Sequence, residues 1–222
     1  MAFTDFTASL PRYTRLFLPQ QSAFKARYFM LASLSASAVV ATAALVSQGE
    51  TMEGWNLASQ NVLRFSFFLF LAAYVAGPVA RLIPALGWRF SVSDHQKLIL
   101  SFATAFAVSI LCSLAPRYLP FAAPLARTLP ATTMAFAVAG AGMLIAILVS
   151  AQRNISSFSR GLLDRLTLVY FWSLFGLAAF DHLAGPHRPD GFYGLSLALL
   201  VTGLLVRFAA AFLNETRPAR VA

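Results

Sequence analysis

Of the 222 residues, 59% are hydrophobic and only 11% are charged, with a mean hydropathy of +0.70; an average soluble domain carries about 25% charged residues. No soluble core hides that much apolar surface, so lipid must be the solvent for most of the chain. The net charge of +9 raises nucleic acid as a partner, but the Lys and Arg lie in connections between apolar runs, not in a basic patch interleaved with aromatics, which excludes it. One cysteine, Cys112, excludes an intramolecular disulfide and reads as a small buried apolar residue.

Residues 1–27 are polar enough to precede the first span, with Arg12, Arg15, Lys25 and Arg27 ahead of any long apolar run, unlike a cleavable signal. Phe3, Phe6, Leu10, Tyr13 and Phe17 recur at spacings of three and four, as in a surface-lying amphipathic segment, although Pro11 interrupts a continuous helix. A mobile leader is the alternative. Six apolar runs follow, each long enough to cross a hydrocarbon core that takes about 20 residues to span. They cover about Tyr28–Val46, Val62–Ile83, Leu98–Ala115, Ala131–Ala151, the stretch Arg160–Pro186 with its most apolar part at Leu166–Phe180, and Phe192–Leu213. The expected architecture is therefore all-α, a six-helix membrane bundle over residues 28–213 with a short tail at 214–222.

Details of the runs refine that expectation. Gly77-Pro78 predicts a kink in the second, and Pro116, Pro120, Pro124 and Pro130 predict a non-helical link after the third. In the fourth, Ala135, Ala137, Ala139, Ala141 and Gly142 allow close helix approach, or simply reflect membrane composition. Gly49 to Asn61 reads as a loop, which places Arg64 at the mouth of the second helix. No charge falls at the centre of any run, which weighs against proton pumps, voltage sensors and ion-coupled transporters. Thirteen of the seventeen Lys and Arg fall on the side of the two termini, with Arg207 counted in the C-terminal tail, and four on the other side. Both termini are thereby expected in the cytoplasm. Asn154-Ile155-Ser156 and Asn214-Glu215-Thr216 then face the cytoplasm and carry no glycan.

The framing residues have a family likeness. Arg64 heads a Phe/Leu-rich helix ending Gly77-Pro78-Val79-Ala80-Arg81-Leu82-Ile83-Pro84; Ser101-Phe102-Ala103 opens the third run; Arg165-Leu166 and Tyr170-Phe171-Trp172 lie in the fifth. Over roughly residues 60–213 this resembles the ferric-reductase-like transmembrane domain, in its compact bacterial form without a flavin domain. The resemblance implies an inner-membrane location and b-type haem held by histidines of the third and fifth helices. The positions it implies for those ligands are Phe106, Ser109 and Asp164, and none is a histidine. The resemblance therefore implies the fold without the imidazole nitrogen that haem iron requires.

His95 and His182 do not rescue such a site, since one opens the third helix and the other closes the fifth, with about 30 Å of hydrocarbon between. Asp181, His182, His187 and Asp190 form a D-H-x4-H-x2-D pattern that could hold a surface metal, although the plain reading is a solvated Pro/Gly loop with ordinary polar residues. Arg64, Asp164 and Trp172 are the candidate cofactor-binding residues, for a propionate, a replaced ligand and a haem or quinone slot respectively. Each also has a plain reading: snorkelling for Arg64, a helix-entry charge for Asp164, aromatic packing for Trp172. The expectation is an accessory or interaction subunit in the lipid bilayer, with no cofactor and another membrane or redox subunit as partner. The alternatives are a redox protein holding haem b or quinone through non-standard ligands, and a small-molecule permease.

Overall fold

A computed structural model describes residues 12–83, 92–118, 139–143, 145–146, 157–184 and 191–215. No strand occurs among them. The long helices are α1 (Arg12–Gln48), α2 (Met52–Leu82), α3 (Val92–Tyr118), α5 (Ser157–Ala184) and α6 (Gly191–Glu215). A piece of helix at 139–143 and 145–146, inside the fourth apolar run, is α4. Five of these helices are long and apolar enough to cross a membrane: Arg27–Gln48, Met52–Leu82, Asp94–Pro116, Leu162–Ala184 and Gly191–Leu213. The chain is a multi-pass, all-helical protein with membrane-spanning helices.

Two expected boundaries are corrected. The polar stretch after Gly49 is not a loop, because helix α2 starts at Met52. Gly49 turns the chain at φ +73, a conformation that suits glycine, and Thr51 caps α2 by accepting a hydrogen bond from the Gly54 amide at 3.1 Å. Polar residues such as Asn56, Gln60 and Asn61 lower the local hydropathy, yet they cost a helix little that projects past the lipid. At about 1.5 Å per residue the 31 residues of α2 reach about 46 Å, well beyond a hydrocarbon core of about 30 Å. Pro78 lies within α2, and the helix runs through it to Leu82. Likewise α1 begins at Arg12, directly after Pro11, so the segment expected to precede the first span is largely continuous with it. Residues 1–11 lie outside the described residues.

Helix α2 is the hub, packing against α1, α3, α5 and α6. Its first half meets α1 and α3 through small residues. Ala41 and Ala44 of α1, Ala58 and Val62 of α2 and Cys112 of α3 form one buried cluster. Serines then cross-link the three helices. Ser33 donates to the Ser101 carbonyl at 2.7 Å, while Ser59 donates to the Ser109 carbonyl at 3.0 Å and meets the Ser113 hydroxyl at 2.6 Å. Small side chains bring backbones close enough for a hydroxyl to reach a neighbouring carbonyl, the usual basis of helix association in lipid. The second half of α2 packs through rings, with Phe67, Phe70 and Tyr74 joining Phe102 and Phe106 of α3, Phe171 and Phe175 of α5 and Leu200 of α6.

The small-residue seam expected in the fourth run takes a different form. Ala139 and Gly142 are exposed, and nothing lies within 4 Å of a side chain placed at Gly142. Gly140 is the packed residue, beneath Tyr170 and Phe106. Ala135 and Ala137 lie outside the described residues. The close approach of α2 and α6 occurs instead at Gly203, where an added Cβ would stand 3.1 Å from Val75 and 3.2 Å from Tyr74.

Cationic side chains gather toward one end, where Asp94 and Asp164 also lie, while Arg64 stands apart from them. The hairpins and antiparallel packing place Arg27, Arg81, Lys97, Arg165 and Arg207 at the end holding the start of α3 and α5. Glu50, Glu53 and Asp181 lie at the opposite end.

Candidate functional site

Two places in the bundle bear on function: the aromatic layer between α3 and α5, and a polar cluster at the cationic end. The first is where the resemblance implied haem ligands. Among the described residues no Cα of α3 comes within 8 Å of one in α5, so the helices stand apart. Rings fill the gap. Phe102 and Phe171 meet edge to face at a centroid separation of 4.7 Å, and Phe106 and Phe171 do so at 5.1 Å. Phe175 stands 5.4 Å from Phe70 and 6.4 Å from Phe106. Edge-to-face pairs at such separations contribute about 0.5–1.5 kcal/mol each beyond simple packing. Phe171 is fully buried, and Ser109 donates its hydroxyl to the Phe106 carbonyl of its own helix at 2.8 Å. These residues do not fit haem: the layer offers no nitrogen donor, and its phenyl rings occupy the space between the helices.

Asp164 is not a helix-entry charge. Helix α5 starts at Ser157, which places Asp164 two turns inside. There it lies within electrostatic reach of His95, whose imidazole hydrogen-bonds to the Ala73 backbone. Arg207 also reaches His95. It is not a tail residue but lies well inside α6, where its Nη1 donates to the Tyr74 carbonyl at 3.1 Å. Its guanidinium sits 4.6 Å from the Tyr74 ring centroid. Arg81 and Arg165 lie within electrostatic reach of Arg207. His95, Asp164, Tyr74 and Arg207 thus come from four helices to one end of the bundle. Sequence reading missed Tyr74, and set Arg207 and His95 aside as residues flanking apolar runs. The available signal was that position 207 still falls within the sixth run, ahead of Phe208 to Leu213.

Arg64 is also displaced from its expected place. It lies 12 residues into α2, although it is level with the start of α6, and its guanidinium stands 4.9 Å from the Phe192 ring centroid. A cation over an aromatic face at the bundle rim accounts for its position. Trp172 ties α5 to α6, its indole N–H donating to the Leu200 carbonyl at 3.3 Å. Asp181 and His182 are exposed in the last turn of α5, with the His182 ring stacked on Tyr193 at 4.0 Å. His187 and Asp190 lie outside the described residues. Among the described residues no group of three His, Cys, Asp or Glu stands together as a metal site. From Asp164 to His182 is 18 residues of continuous helix, about 27 Å, so His95 and His182 lie at opposite ends.

Compared with protein-family models, curated proteins and solved structures, the chain matches none.

Proposed function

We propose that this chain is a bacterial inner-membrane protein with a six-helix bundle and both termini in the cytoplasm. In this reading it keeps the arrangement of a ferric-reductase-like membrane domain but serves as an accessory subunit without histidine-ligated haem. The observation that carries the reading is Phe106. It occupies the third-helix ligand position of the resemblance and is built into an aromatic layer with Phe102, Phe171 and Phe175. A phenyl ring donates no lone pair to iron, and displacing it would open the core that joins α2, α3 and α5. The orientation is supported by the gathering of Arg27, Arg81, Lys97, Arg165 and Arg207 at one end.

A pyridine haemochrome assay and a dithionite-reduced spectrum on detergent-purified protein, made with ample haem, test the reading. The expected result is no Soret band. A band at about one haem per chain overturns it and favours a redox protein with other axial ligands. Topology is tested separately by reporters fused at the C-terminus: a fluorescent protein should light up and alkaline phosphatase should stay inactive.

A further inference from the structure

Helix α2 carries a proline inside its hydrogen-bond ladder. Proline has no N–H, so Pro78 leaves the carbonyl four residues back, at Tyr74, without its helical donor. In a bilayer such a freed carbonyl has no water to turn to, and a neighbouring helix supplies the partner. Here the partner is Arg207 of α6. Its Nη1 donates to the Tyr74 carbonyl at 3.1 Å, while its guanidinium lies 4.6 Å from the centroid of the Tyr74 ring. Gly203, one turn earlier in α6, brings the two helices into reach, since even a Cβ added there would stand 3.2 Å from the Tyr74 ring.

Pro78 also divides α2 into unequal parts. Up to Ala76 the helix is anchored by buried residues, Ala73, Tyr74 and Ala76 among them. From Gly77 to Leu82 every residue is half-buried or exposed, so little packing holds this end in line. Gly77, beside the proline, adds backbone freedom at the same point. Arg207 in turn has a second place to go. It lies six residues, about 9 Å, before Leu213, where its span ends, and a long cationic side chain can extend along the helix toward water. We infer that Tyr74–Pro78 is a hinge and Arg207 its latch. With the guanidinium on the Tyr74 carbonyl the end of α2 stays in line; with the guanidinium turned to water that end swings and carries Arg81 with it. Such hinges are a few residues that absorb the change while the packed body stays in place.

The test is residue-resolved hydrogen exchange on full-length protein in a neutral detergent, read at the Val79 and Ala80 amides. Their helical acceptors, Val75 and Ala76, lie across Pro78, so these two bonds open when the hinge does. Arg207→Met removes the donor and keeps the length. It should speed exchange at both amides about tenfold and leave Phe102 to Phe106 of α3 within about twofold of wild type. Arg207→Lys still donates and should keep most of the protection. Pro78→Ala restores the missing N–H within α2 and makes Arg207 dispensable, so Pro78→Ala/Arg207→Met should exchange within about twofold of Pro78→Ala alone. An equal acceleration by Arg207→Met in both backgrounds overturns the latch, because Arg207 would then act through packing alone. An acceleration shared equally by α3 overturns the hinge as general loosening. Exchange at Val79 and Ala80 that is the same in Arg207→Met as in wild type overturns both.

Discussion

Gly203 offers the sharpest test of how α2 and α6 are joined. A Cβ at this position would stand 3.1 Å from Val75 Cγ1, 3.2 Å from Tyr74 Cδ1 and 3.3 Å from Tyr74 Cε1. Carbon atoms at rest sit about 3.5–4.0 Å apart, so the helices must separate by a few tenths of an ångström. Tyr74 cannot yield freely, because Arg207, one turn beyond Gly203, is stacked on its ring and bonded to its carbonyl. Gly203→Ala gains about 1 kcal/mol of helix propensity and loses about 1–3 kcal/mol to overpacking, a net loss of about 1 kcal/mol. Gly203→Leu forces three further carbons into the same gap and should cost about 3 kcal/mol or more. Gly176, with nothing within 4 Å of an added Cβ, is the control. The protein carries its own reporter: Cys112 is its one cysteine and is 5% exposed, so a thiol-reactive dye labels it only on unfolding. At about 2–4 °C per kcal/mol for a chain of this size, Gly203→Leu should melt about 6–12 °C below wild type. Gly203→Ala should fall by about 4 °C at most, and Gly176→Ala should match wild type or exceed it slightly. A Gly203→Leu protein melting with wild type would refute the close approach. So would an equal loss in Gly176→Leu, which would trace the effect to leucine in any helix.

The aromatic layer gives a second expectation. In lipid or detergent the transfer part of the hydrophobic effect largely cancels, leaving the cavity: roughly 100 Å³ at about 24 cal/mol per Å³, or about 2 kcal/mol, for Phe171→Ala. Phe68→Ala, at a ring 47% exposed, should cost well under half of that in the same dye assay. At the α1–α2 turn, a Cβ on Gly54 would collide with the Gly49 carbonyl oxygen, which belongs to backbone and cannot swing away. Gly54→Ala should therefore lower folded yield and melting midpoint more than Gly203→Ala does; equal midpoints would contradict the turn geometry. Ser59→Ala removes the bonds to the Ser109 carbonyl and the Ser113 hydroxyl, and at about 0.6 kcal/mol per interhelical bond it should cost about 1 kcal/mol in denaturant titrations. A loss beyond about 2 kcal/mol would mean that Ser59 does more than bridge α2 and α3.

Much of this was legible in order along the chain. Hydropathy is a sum over neighbours in sequence, so a window of about 20 residues is enough to mark a span. Five spans emerge near where the apolar runs predict them, and the burial of Cys112 follows from its apolar surroundings in the same way. Charge asymmetry is another local sum, and Arg81, Lys97 and Arg165 do share one end. Boundaries were less legible, since the polar residues at 56–61 belong to a part of α2 longer than the hydrocarbon core, where hydropathy no longer reports helix.

Which faces meet was decided only by the tertiary structure. Arg207 reads as the edge of a tail until α2 is known to lie beside α6, and only then does the Tyr74 carbonyl become its partner. His95 and Asp164 are 69 positions apart and belong to helices that the sequence does not pair. Phe106 could as well have faced lipid, because an apolar ring satisfies either side of a membrane helix. Lipid tails are as apolar as the core, so hydrophobicity tells a chain which residues enter the membrane but not which turn inward. Close packing, serine hydroxyls and the few charged groups make that choice, and they act between residues distant in sequence.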